Sequence, residues 1–326
     1  MIVALSAGLV ALALLSLAFT LWLRRDVERR FPAVGRRVDL GSGRLHVVET
    51  SPQAAARGAI VLIHGASGNF ADLHVALAGR LAREGFHVFA VDRPGHGWSD
   101  RLAGRAAASP ALQAACVVQA LAALGVEEAI VVVHSLAGVL GLAMALEAPA
   151  FTRALVLLAP VSHPWKGGVS WYYVAATLPG LGTLFRWLIV PWAGLAAMRR
   201  GLVEVFAPNA VPADYIRRTR LPLVLRPANF RANAEDFNAL CEAARALAPR
   251  YREIAAPTAI VMGAEDSLVS ADIHAKRLVR DIPGAILRML PGIGHSPHFA
   301  APQAVIAAVL EVERRARGGA VAIQGS

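Results

Sequence analysis

The chain opens with an apolar stretch, residues 2–23, that contains no charged side chain. About 20 such residues form a helix long enough to cross a hydrocarbon core of about 30 Å. A cleavable signal peptide is the alternative, but no basic residues precede the stretch and it exceeds the apolar length of such peptides. The pattern therefore predicts a single membrane-spanning helix. Arginines follow at positions 24, 25, 29 and 30, so we expect the rest of the chain in the cytoplasm, with the periplasm as the alternative.

Beyond this stretch, short apolar runs typical of strands alternate with helical spacing. Residues 37–49 alternate between polar and apolar positions about a glycine-containing turn and predict a β-hairpin. Helical patterns, such as residues 108–124, separate several of the later runs. Continuous apolar runs predict strands covered on both faces, at residues 58–63, 87–92, 129–133, 153–160, 257–262 and 285–290. The alternation predicts an α/β fold with a mostly parallel, doubly covered sheet.

The alternation stops between residues 161 and 256, where prolines break the helical patterns and no strand is predicted. The first half of this segment is rich in aromatic and leucine side chains. A second membrane span is one interpretation, although Pro179, Arg186 and Pro191 interrupt it. The other interpretations are a lid that lines an apolar pocket and rests on the bilayer, and ordinary core with one solvated face.

The predicted organisation is a membrane anchor at 1–30, a first core part at 31–160, a helical insertion at 161–256, a second core part at 257–317 and a disordered tail at 318–326.

The 326 residues carry a formal net charge of +10, and arginine supplies nearly all of it because Lys166 and Lys276 are the only lysines. No basic stripe with interleaved aromatic residues is found, so the charge favours an anionic membrane surface over nucleic acid as a partner. Cys116 and Cys241 lie in apolar helical patterns and predict free thiols rather than a disulfide. The sequence contains no cluster of metal ligands and no phosphate-binding loop, so no metal and no other cofactor is predicted.

The candidate chemistry centres on Ser135. An apolar run ends in Val133 and His134, the serine follows, and helical spacing resumes at Val139. A serine in such a strand–turn–helix elbow is held in an unfavourable backbone conformation, and its hydroxyl is exposed at a helix N-terminus that favours developing negative charge. A capping serine in an ordinary buried turn is the alternative interpretation.

Residues 133–137, Val-His-Ser-Leu-Ala, resemble the G-x-S-x-G elbow of the α/β hydrolase fold family. The resemblance extends over nearly all of the chain beyond residue 35, and residues 92–100 and 291–298 match further segments of the family. Both elbow glycines are replaced in this chain. Val133 is the larger departure, because the glycine of the family lets helix and strand approach closely.

The resemblance implies an α/β-hydrolase fold of the serine hydrolase branch, in which residues 161–256 form a helical lid. It also implies a catalytic triad of Ser135 as nucleophile, Asp266 as acid and His295 as general base, in the chain order of the family. Glu265 is the adjacent alternative for the acid, and His298 is the alternative for the base. A serine at the nucleophile position argues against the dehalogenase and epoxide hydrolase branches, in which an aspartate attacks.

The same resemblance implies an oxyanion hole formed by two backbone N–H groups, those of Ala66 and Leu136. Each donor of this kind lowers the barrier by about 3 kcal/mol, because it stabilises negative charge as that charge develops. We expect His64, Asp92 and His96 to support their turns through hydrogen bonds and packing rather than to take part in chemistry.

Together these residues predict a membrane-anchored serine hydrolase that cleaves a small apolar ester or related carbonyl compound through an acyl-enzyme, in contact with membrane lipid. A carbon–carbon bond hydrolase is the alternative within the family. A non-catalytic accessory protein that binds a hydrophobic ligand is the alternative from another class, and Val133 is the residue that favours it. The sequence leaves the oligomeric state open.

Overall fold

Eight strands form one central sheet in the computed structural model, which describes residues 2–324 of the chain and the side chains of residues 6–318. The strands are β1 (Arg36–Asp39), β2 (Arg44–Thr50), β3 (Ala59–Ile63), β4 (His87–Val91), β5 (Ala129–His134), β6 (Thr152–Leu158), β7 (Thr258–Gly263) and β8 (Ile286–Leu290). Their order across the sheet is β1-β2-β4-β3-β5-β6-β7-β8. The pairs β1–β2 and β2–β4 are antiparallel, and all pairs among β3 to β8 are parallel. The predicted α/β class is therefore confirmed.

Helices precede the sheet and cover both of its faces. A π-helical turn, His74–Ala78, joins the second helix to the third. The helices of the described residues are α1 (Ile2–Arg30), α2 (Ala71–Leu73), α3 (Gly79–Arg83), α4 (Pro110–Ala122), α5 (Gly138–Glu147), α6 (Trp171–Thr177), α7 (Leu181–Leu188), α8 (Val190–Phe206), α9 (Tyr215–Arg218), α10 (Pro227–Leu247), α11 (Ala275–Asp281), α12 (Pro297–Ala300) and α13 (Pro302–Gln324).

Alternate residues of the central strands fill two separate cores. Val61 of β3 and Val131 of β5 pack in the core that contains α4 and α5, whereas Leu62 and Val132 pack in the core that contains α13. Each such fully buried side chain stabilises the fold by about 1.5–3 kcal/mol relative to an exposed one. The central strands are thus held on both faces, which gives the loops at their carboxyl ends a rigid base.

The chain leaves the sheet after β6 and returns to it at β7, and we call residues 161–256 the lid segment. It contains α6 to α10 and, over this fully described range, no strand. α7 and α8 meet at a bend of 58°. α10, the longest helix of the segment, packs against α5 and α6. The lid segment is therefore joined to the core through α10.

The N-terminal helix, α1, is long and apolar enough to cross a membrane. Between Ser6 and Arg30 its most apolar window has a mean hydropathy of 2.1, and 17% of that window is buried inside the molecule. The predicted membrane-length helix is therefore present. Its membrane role is treated under the proposed function below.

The last helix is longer than the sequence pattern predicted. The pattern placed its end near Arg317 and a disordered tail at 318–326, but α13 continues to Gln324, and residues 325 and 326 lie outside the described residues. Gly318 and Gly319 suggested the earlier end. A glycine costs a helix only about 1 kcal/mol relative to alanine, and the apolar residues that follow are compatible with helix.

Both cysteines are free thiols, as predicted. Cys116 on α4 is buried and Cys241 on α10 is partly exposed. Burial raises the pKa of the Cys116 thiol, so this cysteine is a poor nucleophile. Cys241 donates to the Trp165 carbonyl at 3.6 Å. In the described part of the chain, neither thiol is hydrogen-bonded to Ser135.

His274 is a buried histidine, at the start of α11, whose ring accepts two backbone hydrogen bonds. Its Nδ1 accepts from the N–H of Ser162 at 3.1 Å and from the N–H of His163 at 3.2 Å. Burial, followed by the nearby charges of His163 and Arg277, lowers the pKa of His274 from 6.5 to about 4. Protonation would also place a hydrogen on Nδ1, opposite the two donors.

We expect His274 to make the fold sensitive to acid. Because its folded pKa lies below the unfolded value, the neutral ring contributes stability that is present above about pH 6.5 and is lost as the pH falls through about 4. From this residue alone, the free energy of unfolding should be about 2 kcal/mol lower at about pH 5 than at about pH 7. His274→Asn keeps an acceptor for both N–H groups but cannot be protonated, so urea unfolding at the two pH values should show a smaller difference. An unchanged difference would show that His274 does not titrate in this range.

Candidate active site

Ser135 lies at the sharp turn between β5 and α5. Its backbone has φ of +53°, a left-handed conformation that is costly for a residue with a side chain and that persists where its surroundings over-determine it. One such restraint is the hydrogen bond from the N–H of Val161 to the Ser135 carbonyl, at 3.0 Å. The turn places the hydroxyl beyond the carboxyl end of β5, as the elbow pattern predicted.

The close approach of helix and strand at this elbow is made by a glycine on the helix. A Cβ added at Gly141 of α5 would lie 2.8 Å from Cγ2 and 3.0 Å from Cγ1 of Val133. A Cβ at Gly138 would lie 2.5 Å from the carbonyl oxygen of Val161. Val133 is fully buried, so its isopropyl group fills the space that the missing side chain of Gly141 leaves. The departure from the elbow pattern is therefore compensated within the same contact.

We expect Gly141→Ala to destabilise the fold by about 1–3 kcal/mol, because the added methyl would overlap with Val133. Val133→Ala should relieve that overlap, so the double variant should lose less stability than the sum of the two single losses. Gly201→Ala is the matched control, since a Cβ there on α8 meets nothing within 4 Å. Urea unfolding of the four variants gives the coupling energy, and a Gly141→Ala variant as stable as the parent would contradict the proposed contact.

The structure brings Ser135, His295 and Asp266 together in a hydrogen-bonded relay. Nε2 of His295 lies 2.9 Å from the Ser135 hydroxyl, and Nδ1 of His295 lies 2.7 Å from Oδ2 of Asp266. Oδ1 of Asp266 accepts from the N–H groups of Leu268 at 2.9 Å and Val269 at 3.0 Å. The Asp266 side chain is fully buried, and three hydrogen bonds fix its position.

The alternatives considered for the acid and the base occupy other positions. Glu265 is exposed to solvent on the outer side of the loop after β7. His298 lies in a separate buried cluster, 3.4 Å from Asp72. The geometry therefore favours Asp266 and His295 over these two residues.

The loop that carries His295 is fixed by an asparagine from the lid segment. Asn209, just after α8, donates from Nδ2 to the carbonyl of Gly292 at 2.8 Å, and its Oδ1 accepts from the N–H of Gly294 at 3.0 Å. A Cβ at Gly294 would lie 2.0 Å from the carbonyl oxygen of Ala207, so only glycine allows this approach. Sequence reasoning missed Asn209, because nothing in its local pattern links it to a loop more than eighty residues later.

The two predicted oxyanion donors flank the serine. Leu136 follows Ser135 in the first turn of a helix, where an N–H has no carbonyl partner within the helix. Gly65, which precedes Ala66, lies against the elbow, because a Cβ at Gly65 would be 3.1 Å from both the carbonyl oxygen of His134 and Cβ of Ser135. Ala66 therefore follows a glycine that packs directly against the elbow.

A buried arginine holds this loop in place. The guanidinium of Arg93 donates to the carbonyls of His64 and Gly65, each at 3.2 Å, and to Oδ2 of Asp236 on α10 at 2.5 Å. Arg93 is fully buried, so its charge is compensated inside the protein by Asp236. Sequence reasoning missed this pair.

The histidine of the same loop has the supporting role that we predicted. Nδ1–H of His64 donates to the carbonyl of Gly65 at 2.8 Å, and Nε2 accepts from the N–H of Arg93 at 3.1 Å. Burial, followed by the charge of Arg93, lowers the pKa of His64 well below its usual value. The ring therefore stays neutral.

Two more contacts fix the surrounding loops. Oδ1 of Asn233 on α10 accepts from the N–H of Ser67 at 2.7 Å. Asp92 accepts from the N–H groups of Phe70 at 2.7 Å and Trp98 at 2.8 Å, which confirms the predicted supporting role of Asp92. The loops around Ser135 are thus held by the core on one side and by α10 on the other.

A second buried polar cluster lies behind the relay. Nε2–H of His134 donates to the carbonyl of His295 at 2.9 Å, and Nδ1 of His134 lies 3.8 Å from Oδ2 of Asp72. The Tyr215 hydroxyl donates to Oδ1 of Asp72 at 2.8 Å. Burial alone would raise the pKa of Asp72, but His298, His134 and the Tyr215 hydroxyl together lower it below its usual range. The lowered pKa favours the carboxylate form of Asp72, which lies beside the histidine that touches the His295 backbone.

The same cluster contains three residues of types that can bind a metal ion. Asp72, His134 and His298 offer three ligand atoms within 4.8 Å of one another. One oxygen of Asp72 lies 3.4 Å from Nε2 of His298, and the other accepts from the Tyr215 hydroxyl. Both ring nitrogens of His298 lack a hydrogen-bond partner in the described part of the chain, so the network does not account for the whole donor set.

The candidate site is closed in this structure. Ser135 is 8% exposed and His295 is 6% exposed, and the lid segment contacts the loops on either side of them through Asn209 and Asn233. Ser135 and His295 are therefore largely shielded from solvent, next to loops that the lid segment contacts.

The chain is similar in sequence and in structure to known hydrolases. Residues 58–302 match the family described as the alpha/beta hydrolase fold. The chain is 26% identical over 249 residues, 73% of its length, to 81% of a 2-hydroxy-6-oxononadienedioate/2-hydroxy-6-oxononatrienedioate hydrolase of Comamonas testosteroni. It is 28% identical, with the same coverage, to a 2-hydroxy-6-oxo-6-phenylhexa-2,4-dienoate hydrolase of Delftia acidovorans. A crystal structure of a membrane phospholipase A superposes with a TM-score of 0.65 at 20% identity, over 97% of this chain and 96% of that one, and shows a shared fold.

Proposed function

Because the chain belongs to the α/β hydrolase fold family and is a hydrolase, we propose that it is a membrane-anchored serine hydrolase. It cleaves an apolar ester, or a related carbonyl compound, through an acyl-enzyme. The observation that carries the proposal is the relay in which His295 lies 2.9 Å from the Ser135 hydroxyl and 2.7 Å from Asp266. Such a relay turns a weakly nucleophilic hydroxyl into one that can attack a carbonyl carbon.

In each half of the proposed reaction, His295 accepts a proton as general base and then donates it as general acid. As the Ser135 oxygen attacks the carbonyl carbon, Nε2 of His295 takes the hydroxyl proton, and Asp266 stabilises the imidazolium through Nδ1–H. The N–H groups of Ala66 and Leu136 bind the oxyanion. His295 then gives the proton to the leaving alcohol as the carbon–oxygen bond breaks. A water molecule repeats the sequence on the acyl-enzyme and releases the acid.

The apolar character of the substrate is inferred from the apolar surface of the lid segment and from α1. The lid segment exposes large apolar side chains, including Trp171, Leu181 and Leu184, and α1 is of membrane length. Both features suit an ester with an acyl chain that partitions into lipid. The arginines after residue 23 favour a cytoplasmic body. Protease treatment of sealed inner-membrane vesicles from each orientation would test this, since digestion of the body from the periplasmic face would contradict it.

A second candidate is the hydrolysis of a carbon–carbon bond in a diketone. It is favoured by the two relatives named above, which are hydrolases of 2-hydroxy-6-oxo dienoates. The same nucleophile, base and oxyanion donors would serve that reaction. Substrate assays therefore have to separate the two.

We expect a fluorophosphonate to label the detergent-solubilised chain, because this reagent needs an activated serine and little else. Ser135→Ala should lose the label completely, and His295→Ala should lose nearly all of it. The labelled protein would then be tested on p-nitrophenyl esters of graded acyl length and on a 2-hydroxy-6-oxo dienoate, followed by absorbance. Faster ester turnover with longer chains supports the first candidate. Turnover of the dienoate alone supports the second, and a folded chain that takes no label excludes both.

A further inference from the structure

α1 and the lid segment are joined by hydrogen bonds at the bend between α7 and α8. The Ser16 hydroxyl donates to the carbonyl of Leu188 at 2.5 Å, and the Thr20 hydroxyl donates to the carbonyl of Trp187 at 2.6 Å. The indole N–H of Trp192 donates to the Ser16 oxygen at 3.0 Å. Ser16 is 7% exposed and Thr20 is 2% exposed, so these bonds are shielded within the molecule.

These bonds satisfy carbonyls that the break in the helix leaves free. The last turn of a helix has carbonyls without intrahelical partners, and Trp187 and Leu188 form the end of α7. In water such groups can be hydrated, but in hydrocarbon each unsatisfied group costs several kcal/mol. Two hydroxyls within the uncharged stretch of α1 each donate to one of these carbonyls, which is an arrangement suited to a bend within lipid.

The side chains around the bend form an apolar surface that continues the surface of α1. Leu181, Leu184 and Ile189 are each about half exposed or more. On α1, Leu12 and Leu15 are exposed to a similar degree. In a water-soluble protein, exposed apolar patches of this kind mark a binding surface for protein or lipid.

Among the described residues, the apolar surface around the bend carries no exposed charged side chain. Between residues 167 and 198 the one charged side chain is Arg186, and it is buried, donating to the Ala176 carbonyl and to the Thr183 hydroxyl. It therefore brings no charge to the apolar surface. The first charged residue after the uncharged stretch is Arg24 on α1 and Arg199 on α8.

The positions of Arg24 and Arg199 indicate how deep in a bilayer the α7–α8 bend would lie. With a rise of 1.5 Å per residue, Arg24 lies about 12 Å along α1 from Ser16, and Arg199 lies about 15 Å along α8 from Ile189. The two helices run side by side, since Leu23 of α1 and Leu195 of α8 line one groove between them. Half of a hydrocarbon core is about 15 Å, so one leaflet accommodates the bend while both arginines reach the headgroups.

We propose that the α7–α8 bend is embedded in one leaflet of the membrane beside α1, as a re-entrant segment rather than a second span. Its occupant is the hydrocarbon of that leaflet, with anionic headgroups at the level of Arg24 and Arg199. The proposal rests on the membrane anchor put forward under the proposed function. It gives the lid segment a fixed position at the bilayer, with Ser16 and Thr20 as the residues that hold it there.

The test places a spin label at position 184 of the full chain in vesicles of phosphatidylcholine and phosphatidylglycerol. Leu184→Cys is made in a Cys116→Ala, Cys241→Ser background and its accessibility to oxygen and to a water-soluble nickel chelate is measured. Leu12→Cys reports the anchor. Asp272→Cys reports water, because its side chain is 79% exposed on the β7 side of the molecule. We expect position 184 to match position 12, with high oxygen and low nickel accessibility, and position 272 to show the reverse.

The other outcomes are distinguishable. If position 12 is in lipid but position 184 is in water, the anchor stands and the re-entrant segment is wrong. If both are in water, the proposed anchor fails and this inference fails with it. Low accessibility to both reagents with dipolar broadening between labels at position 184 would show that a second copy covers the surface, which overturns the proposal.

A hydroxyl deletion tests the role of the Thr20 bond separately. Thr20→Val keeps the shape of the side chain and removes the donor, whereas Thr20→Ser keeps the donor. We expect Thr20→Val to raise nickel accessibility at position 184 and Thr20→Ser to leave it unchanged. An equal response of the two variants would show that the Trp187 carbonyl does not depend on this hydroxyl.

Discussion

Asp266→Asn is expected to lower kcat by about 10⁴-fold, with little change in KM or in the free energy of unfolding. The asparagine oxygen can still accept from the N–H groups of Leu268 and Val269, so the loop should keep its shape. Its NH₂ group would then face Nδ1 of His295, which turns the ring to the tautomer that cannot accept the serine proton. The loss should therefore fall on the chemical step.

Initial rates on the best ester of the panel give kcat and KM, and thermal unfolding checks the fold. Glu265→Gln is the matched control, because that side chain is exposed on the same loop, and its rate should equal that of the parent. If Glu265→Gln lost activity and Asp266→Asn kept it, the assignment of the acid would be wrong.

Arg93→Met is expected to destabilise the fold by about 3–5 kcal/mol, because it leaves the buried Asp236 without its main partner. Arg101, whose Nη2 lies 2.9 Å from the other oxygen of Asp236, compensates only part of that charge. The variant also removes donors from the carbonyls of His64 and Gly65. We therefore expect the loop that carries Ala66 to lose its position as well.

The double variant Arg93→Met, Asp236→Leu separates the two effects. Replacing both members of a buried ion pair by apolar residues can restore stability, so urea unfolding should show most of the loss recovered. The kcat of the double variant should stay low, because nothing replaces the donors to the loop. Recovery of both stability and kcat would show that Arg93 acts on the fold alone.

The parts of the fold that could be predicted are those with a strong local signal. β3 and β5 are buried on both faces, so their apolar runs are continuous, and the hairpin of β1 and β2 has a clear alternation. The three residues of the relay could be placed because they occupy motif positions of the family that the sequence resembles, and each follows a strand at the same edge of the sheet. Their chain order then matches the family to which the chain belongs.

The parts that could not be predicted depend on contacts between distant positions. Asn209 and Asp236 have no local pattern that shows which loop they touch. The exchange between Val133 and Gly141 was visible only as a missing glycine, which favoured the non-catalytic alternative. In the structure the missing glycine is compensated on α5, so this residue no longer supports that alternative. The end of α13 was misplaced because two glycines are a weak stop signal when apolar residues follow.

The contacts of Asn209, Asn233 and Asp236 have a consequence for engineering. Lid segments are attractive cassettes for exchange between hydrolases, since they shape the substrate pocket. Here the cassette also supplies hydrogen bonds to the general-base loop, to the loop before α2 and to Arg93 in the loop after β4. A chimera that took its lid from another enzyme would need equivalents of all three side chains at matching positions. Changes of selectivity in this scaffold are therefore better sought by point substitution within the lid segment than by transplanting the whole segment.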